Sequence, residues 1–123
     1  MIAKFFLLLA LVVCALAHKK YLPLIPNADN APVKAIGHID PAGGGEANDF
    51  GKAFKDAGLV WTVDLCCADT DGDGQSNGLE LGDPCCVWAK GDTPAFRTDI
   101  SLPANSSSTT GRAMPTCPSN PCA

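Results

Sequence analysis

Hydrophobic residues form one long run near the start of the chain and only short clusters after it. The run at 5–13 follows Lys4 and ends before Ala15-Leu16-Ala17, an order that is typical of a secretory signal peptide. It is too short to span a bilayer as a helix. We therefore predict a signal peptide over 1–17 and a secreted, extracellular protein that begins at His18 and has no membrane span.

The spacing of hydrophobic positions then predicts a helix that starts after Asn48 and ends at Gly58. Four residues at i, i+3, i+4 and i+7 would give this helix one apolar face: Phe50, Ala53, Phe54 and Ala57. Asn48 is a suitable N-cap, and Gly58 is a suitable C-terminal residue. Residues 18–48 are expected to be irregular, with a short strand within 33–39.

Two shorter helices are predicted on either side of the acidic segment 69–80. The first covers about 62–68, with Trp61 and Leu65 on its inner face. The second begins near Leu79 and is stopped by Gly82-Asp83-Pro84. The predicted fold class is a small, disulfide-rich, mainly irregular domain with short α-helices, arranged as helix–calcium loop–short helix.

Residues 69–80 have the spacing of an EF-hand calcium loop, with acidic residues at positions 1, 3 and 5, glycine at 6, and glutamate at 12. Calcium prefers six to eight oxygen ligands, and without a cation four carboxylates this close together would repel one another. The alternative is a solvated Asp/Gly-rich turn that binds nothing. The predicted calcium ligands are Asp69, Asp71, Asp73, the backbone carbonyl of Gln75, Asn77 and Glu80.

The loop differs from paired EF-hands at position 8, where Ser76 replaces the usual apolar residue, and the chain has no second such loop. A solitary loop indicates an extracellular calcium module with an affinity of about 10⁻⁴–10⁻³ M. We therefore expect calcium to have a structural role.

Of the seven cysteines, Cys14 lies in the predicted signal peptide. An even number of cysteines in a short secreted chain predicts disulfides, here three. Adjacent cysteine pairs do not have the spacing of a zinc site. Nested bridges Cys66–Cys86 and Cys67–Cys85 would close both ends of the calcium loop, with crossed or vicinal pairings as alternatives; Cys117 and Cys122 would close a small ring.

Residues 101–123 are rich in Ser, Thr and Pro, a composition that predicts a flexible tail. Asn105-Ser106-Ser107 in this tail is a sequon for N-glycosylation at Asn105. The net charge of −4 provides no basic surface for nucleic acid or anionic lipid. We expect a monomer whose core is too small to be stable without disulfides and a metal.

Several motifs of this chain resemble the temptin family. They include Ile25-Pro26-Asn27, Gly37-His38, Gly43-Gly44-Gly45, Trp61-Thr62, and the block from Leu65-Cys66 through Gly82-Asp83-Pro84 to Cys86 and Trp88. The resemblance implies a temptin-like domain over 18–100, a Cys66–Cys86 disulfide, and a secreted signalling or recognition protein similar to the water-borne attractants of mollusc pheromone mixtures. The family's N-terminal cysteine is missing, and the extracellular protein or receptor that such a domain would bind is unknown.

The histidines suggest a second, different function. Signal-peptide cleavage would leave His18 as the N-terminal residue, and its amine and imidazole together with His38 could form a three-nitrogen copper brace. That arrangement occurs in copper polysaccharide monooxygenases. Such enzymes use larger β-sandwich scaffolds, which this sequence does not predict. Binding without catalysis is therefore the main hypothesis, and a copper redox protein is the alternative.

Overall fold

The computed structural model describes residues 20–123, which contain four short helices joined by turns and loops. They are a 3-10 helix at Leu22–Leu24, α1 at Asp49–Asp56, α2 at Val63–Cys67 and α3 at Asn77–Glu80. In place of the strand predicted within 33–39, the described residues have one isolated antiparallel bridge, between His38 and Ala47. The predicted fold class is confirmed. The signal-peptide prediction lies outside the described residues.

Helix α1 forms where the hydrophobic spacing predicted it. The Asn48 side chain accepts a hydrogen bond from the backbone N–H of Gly51 at 2.9 Å, which caps the first turn. Gly58, at a φ of +78°, follows the last turn. Phe50 and Phe54 are buried, so the predicted apolar face is the one that packs into the protein.

Helices α2 and α3 pack against each other on either side of the acidic loop, residues 69–80. Both begin at hydroxyl caps: Thr62 accepts from the Leu65 amide, and Ser76 accepts from the Leu79 amide. Gly78 makes the close packing possible, because a Cβ there would lie 2.3 Å from the sulfur of Cys66. No helix among the described residues is long and apolar enough to cross a membrane.

The hydrophobic core draws on residues from most of the described chain. Its buried members are Ile25, Ala28, Ile36, Phe50, Phe54, Leu65, Leu81 and Ile100. Asn27, at a φ of +55°, holds the N-terminal segment against this core. Its side-chain amide donates to the carbonyls of Leu81 at 2.8 Å and Phe96 at 2.7 Å, so the segment before α1 is tied to the segment after α3.

Three disulfides form, but two of the predicted pairings are wrong. Cys66 bonds to Cys86, as the family resemblance implied. The predicted Cys67–Cys85 bridge and Cys117–Cys122 ring are replaced by Cys67–Cys122 and Cys85–Cys117. Adjacent residues in a helix point in different directions. Cys66 is accordingly buried and bonds to Cys86, while Cys67 is half-buried and bonds to Cys122.

These two bridges hold residues 101–123 against the rest of the protein, in contrast to the free tail that the composition predicted. Ser101, Pro103 and Thr110 are buried. The Arg112 guanidinium donates hydrogen bonds to the carbonyls of Leu79 and Thr98. It also lies 4.6 Å from the centre of the Phe96 ring, as in cation–π contacts.

Gly51→Ala tests the close contact between α1 and the preceding loop. Helix propensity alone would make this change stabilising by up to about 1 kcal/mol. We expect the opposite sign, because a Cβ at Gly51 would lie 2.1 Å from the carbonyl oxygen of Gly37. The free energy of unfolding should fall by about 2 kcal/mol in urea denaturation. Lys52→Ala, at the next and exposed position, should change it by less than about 0.5 kcal/mol. A more stable Gly51→Ala variant would contradict this packing.

Candidate metal centre

The carboxylates of Asp69, Asp71 and Asp73 converge inside the acidic loop. One oxygen from each lies within 4.8 Å of the other two. The backbone holds them in place: the Gly74 amide donates to Asp69 at 2.8 Å, and the Gln75 amide donates to Asp73 at 2.8 Å. Gly74 itself has a φ of +88°, a conformation that glycine adopts readily. The loop therefore places three negative groups around one point.

Four buried side-chain oxygens of the loop and α3 have no hydrogen-bond donor among residues 20–123. They are Asp71 Oδ2, Asp73 Oδ2, Asn77 Oδ1 and Glu80 Oε2. Buried acceptors without a partner are uncommon and cost free energy. Their positions in the loop are 3, 5, 9 and 12, which supply side-chain ligands in an EF-hand. A hard cation bound among them would satisfy all four, so the residues present fit calcium.

Glu80 is held in the protein interior at the end of α3, with no exposed surface. Its Oε1 accepts a hydrogen bond from the Ser101 hydroxyl at 2.9 Å, and its backbone carbonyl accepts from the Ser101 amide at 3.0 Å. The pKa of Glu80 is raised to about 8, mainly by burial. The negative charges of Asp71 and Asp73 also raise it, whereas the hydrogen bond from Ser101 lowers it. The carboxylate is therefore shielded from water and close to two others.

Asp71 shows the same effect to a lesser extent. Burial raises the pKa of its carboxyl group to about 6, and the neighbouring charge of Asp73 acts in the same direction. Both shifts describe the loop without a cation. Since opposite charge lowers the pKa of a carboxyl group, a bound divalent cation would reverse them.

The two amide side chains of the loop fix its geometry. Asn77 is fully buried, and its amide donates to the Leu65 carbonyl and the Thr70 hydroxyl, each at 2.8 Å. Gln75 makes a pair of hydrogen bonds to the backbone of Thr110, at 2.8 and 2.9 Å. The Gln75 side chain is thus engaged with the C-terminal segment, which fits the prediction that its ligand atom is the backbone carbonyl.

Sequence reasoning missed the residues that surround the loop from outside it. Ser101 and Thr110 lie in the segment expected to be a tail, and no local pattern distinguishes them. From the sequence, Asp83 is part of the Gly82-Asp83-Pro84 helix stop and family motif, with no separate role. Its buried carboxylate accepts hydrogen bonds from the Trp61 indole at 2.9 Å and the Val87 amide at 3.0 Å, which holds the chain after α3 against the segment before α2.

The other predicted sites lie outside the acidic loop. His18 lies outside the described residues, so the copper brace stays a prediction; His38 belongs to neither potential metal cluster among residues 20–123. The second of those clusters, Cys67, Cys86 and Cys122, consists of sulfurs already in disulfides, which lack the thiolates that a metal needs. Asn105 is exposed and accepts from the Ser107 amide at 3.0 Å; its glycosylation also stays a prediction.

The fold and site define a small disulfide-bonded domain built around an acidic helix–loop–helix. The family described as Temptin C-terminal matches residues 15–105. A relative named Temptin, from Aplysia californica, is 49% identical over 102 residues, which cover 75% of this chain and 82% of the relative. The chain therefore belongs to the temptin family. No solved structure matches it.

The raised carboxyl pKa values predict that the calcium-free protein loses stability as pH rises. Asp71 and Glu80 bind protons more tightly in the folded state than in the unfolded state, where their pKa values return to 3.8 and 4.5. Between about pH 4 and pH 8 the folded state therefore holds more protons, and the free energy of unfolding falls with rising pH. Thermal melting in chelator-treated buffers from pH 5 to pH 8 measures this slope.

Glu80→Gln should make that slope shallower, because glutamine does not titrate. Glu46→Gln is the matched control, since Glu46 is the chain's other glutamate and is exposed outside the loop. It should keep the wild-type slope. Equal slopes for the wild type and Glu80→Gln would contradict the assignment of the effect to Glu80.

Proposed function

We propose that this protein is a secreted, calcium-stabilised recognition protein that acts in extracellular signalling, as pheromone-associated temptins do. Membership of the temptin family and the three disulfides support the extracellular role. The observation that carries the calcium assignment is the set of four buried oxygens, on Asp71, Asp73, Asn77 and Glu80, that no group of the described residues satisfies.

The chemistry of these oxygens favours calcium over other divalent cations. All of the proposed ligands are oxygens, which suit hard cations, and no nitrogen or thiolate is available for zinc or copper at this site. Magnesium prefers a small octahedral shell and keeps several waters, so a loop with three aspartates, an asparagine and a glutamate suits the larger calcium ion better.

The proposed role of calcium is structural. In calcium sensors the two helices of an EF-hand move apart and expose an apolar groove. Here Cys66 in α2 is bonded to Cys86, six residues after the end of α3, and Gly78 is in contact with the Cys66 sulfur. This bridge restrains the helices from separating. A cation would instead remove the repulsion between Asp71, Asp73 and Glu80 and stabilise the loop.

Calcium would also hold the C-terminal segment in place. Three loop residues bond to it: Glu80 through Ser101, Gln75 through Thr110, and the Leu79 carbonyl through Arg112. Ordering the loop therefore orders residues 99–112 on the protein surface. We infer that a receptor or partner protein recognises the calcium-bound arrangement of this surface, and that the protein binds its partner without catalysing a reaction.

Calcium titration tests this proposal. Calorimetry on the mature protein should give one site with a Kd of about 10⁻⁴–10⁻³ M, and magnesium should bind more weakly. With a Kd of about 10⁻³ M, 10 mM calcium should raise the free energy of unfolding by about 1.4 kcal/mol, which corresponds to about 5–10 °C in Tm for a domain of this size.

Glu80→Gln should abolish the calcium-dependent rise in Tm, whereas Glu46→Gln should keep it. The readout is the difference between calcium and chelator for each variant, because Glu80→Gln also relieves repulsion and changes the calcium-free Tm. No heat of binding and no Tm difference for the wild type in millimolar calcium would overturn the proposal.

A further inference from the structure

We propose that the N-terminal half of the protein contains a second binding site, which takes a small apolar molecule with an acidic head group. A cavity of about 320 Å³, called the cup below, lies between the 3-10 helix, residues 36–38 and α1. Its volume is within the range of small-molecule sites, about 300–1,000 Å³. No residue of the acidic loop lines it, so this proposal is independent of the calcium assignment.

The floor of the cup is part of the hydrophobic core. Its buried residues are Ile25, Ala28, Ile36, Phe50 and Phe54. Side chains in a core hold fixed positions because they are closely packed. The floor is therefore already in place before a ligand arrives, and it offers two aromatic rings and aliphatic side chains to an apolar body.

The mouth of the cup consists of half-buried residues. Tyr21, Leu22 and Leu59 line it and are partly accessible to solvent. Burying these apolar faces against a ligand would contribute roughly 25 cal/mol per Å² of area removed from water. Burial increases from the mouth to Phe50, so a ligand would bind with its apolar end inward and its polar end at the mouth.

One wall of the cup is held rigidly against α1. Asn48 donates from its side chain to the carbonyls of Ile36 at 2.8 Å and His38 at 3.1 Å, and from its backbone to Gly37 at 2.9 Å. The contact between Gly37 and Gly51 leaves no room for a Cβ at Gly51. A wall that does not have to be ordered on binding lowers the entropic cost of association.

The charge at the cup selects the head group. Among the described residues that line it, Lys55 is the one lysine or arginine, and none carries a carboxylate. Lys55 is exposed on α1, so its ammonium group can reach a ligand at the mouth. A local positive charge beside an apolar cavity, in a chain with a net charge of −4, favours an anion. The ligand class is therefore a monocarboxylic acid with an alkyl or aromatic body.

Two fluorescent probes with the same ring system test the proposal. 1-Anilinonaphthalene-8-sulfonate carries a negative charge, and N-phenyl-1-naphthylamine lacks the sulfonate. In millimolar calcium, the mature protein should bind both saturably, and octanoate should displace both more effectively than octanol. An absence of saturable binding, or equal displacement by octanol, would overturn the proposal.

Two charge-reversal variants on α1 distinguish a specific contact between Lys55 and the ligand from general electrostatic attraction to the protein. Lys55→Glu should lower the affinity for the sulfonate probe and for octanoate by about three- to tenfold and leave the affinity for the neutral probe unchanged. Lys52→Glu makes the same charge change on the same helix at an exposed residue outside the cup, and should alter neither probe more than about twofold. Equal losses in the two variants would refute a specific role for Lys55.

A cavity-filling substitution locates the probes. Ala28→Leu at the floor of the cup should lower the affinity for both probes by about tenfold or more. This substitution can also disrupt the core. Ala47→Leu, at the half-buried mouth, should produce the same loss with a native circular dichroism spectrum. Undiminished binding by a folded Ala47→Leu variant would place the probes elsewhere and reject the cup. Because calcium is present throughout, a failure here leaves the calcium proposal unaffected.

Discussion

The buried carboxylate of Glu80 is the interaction on which the rest of the site depends. One of its oxygens accepts from Ser101, while the other has no donor in the described part of the chain. An ionised carboxylate removed from water costs several kcal/mol unless a charge or hydrogen bonds compensate it. Asp71 and Asp73 add negative charge rather than compensating it. The protein must therefore either hold a proton here or take up a cation, and the proposed calcium ion would supply the compensating charge.

The disulfides make this costly arrangement possible in a chain with a small core. In the chain-entropy model each bridge contributes roughly 3–4 kcal/mol, since it closes a loop of tens of residues. Cys66–Cys86 fixes α2 relative to the segment after α3, whereas Cys67–Cys122 and Cys85–Cys117 attach the C-terminal segment. That segment supplies Ser101 and Thr110 to the loop. The bridges therefore determine the surroundings of the acidic residues as well as the stability of the fold.

The features that could be predicted from sequence are those that arise within a contiguous segment. The cap at Asn48, the apolar face of α1 and the spacing of the acidic loop all follow from short-range geometry. The partners of Glu80 and Gln75 lie 21 and 35 residues away, where no periodicity links them. The bridges to Cys117 and Cys122 span 32 and 55 residues. The low hydrophobicity of residues 101–123 predicted a tail, because composition does not reveal anchoring by disulfides and backbone hydrogen bonds.

The two proposed sites belong to one folded unit but share no residue. Asn27 joins them: its neighbours Ile25 and Ala28 form part of the cup, and its side chain bonds to the Leu81 carbonyl, next to Glu80. Strong coupling between two sites requires an element with two arrangements that both ligands influence. Asn27 instead connects the packed core to the segment after α3, which the Cys66–Cys86 bridge fixes to α2. Each ligand would therefore stabilise the folded state over the unfolded state, with little effect on the other's affinity.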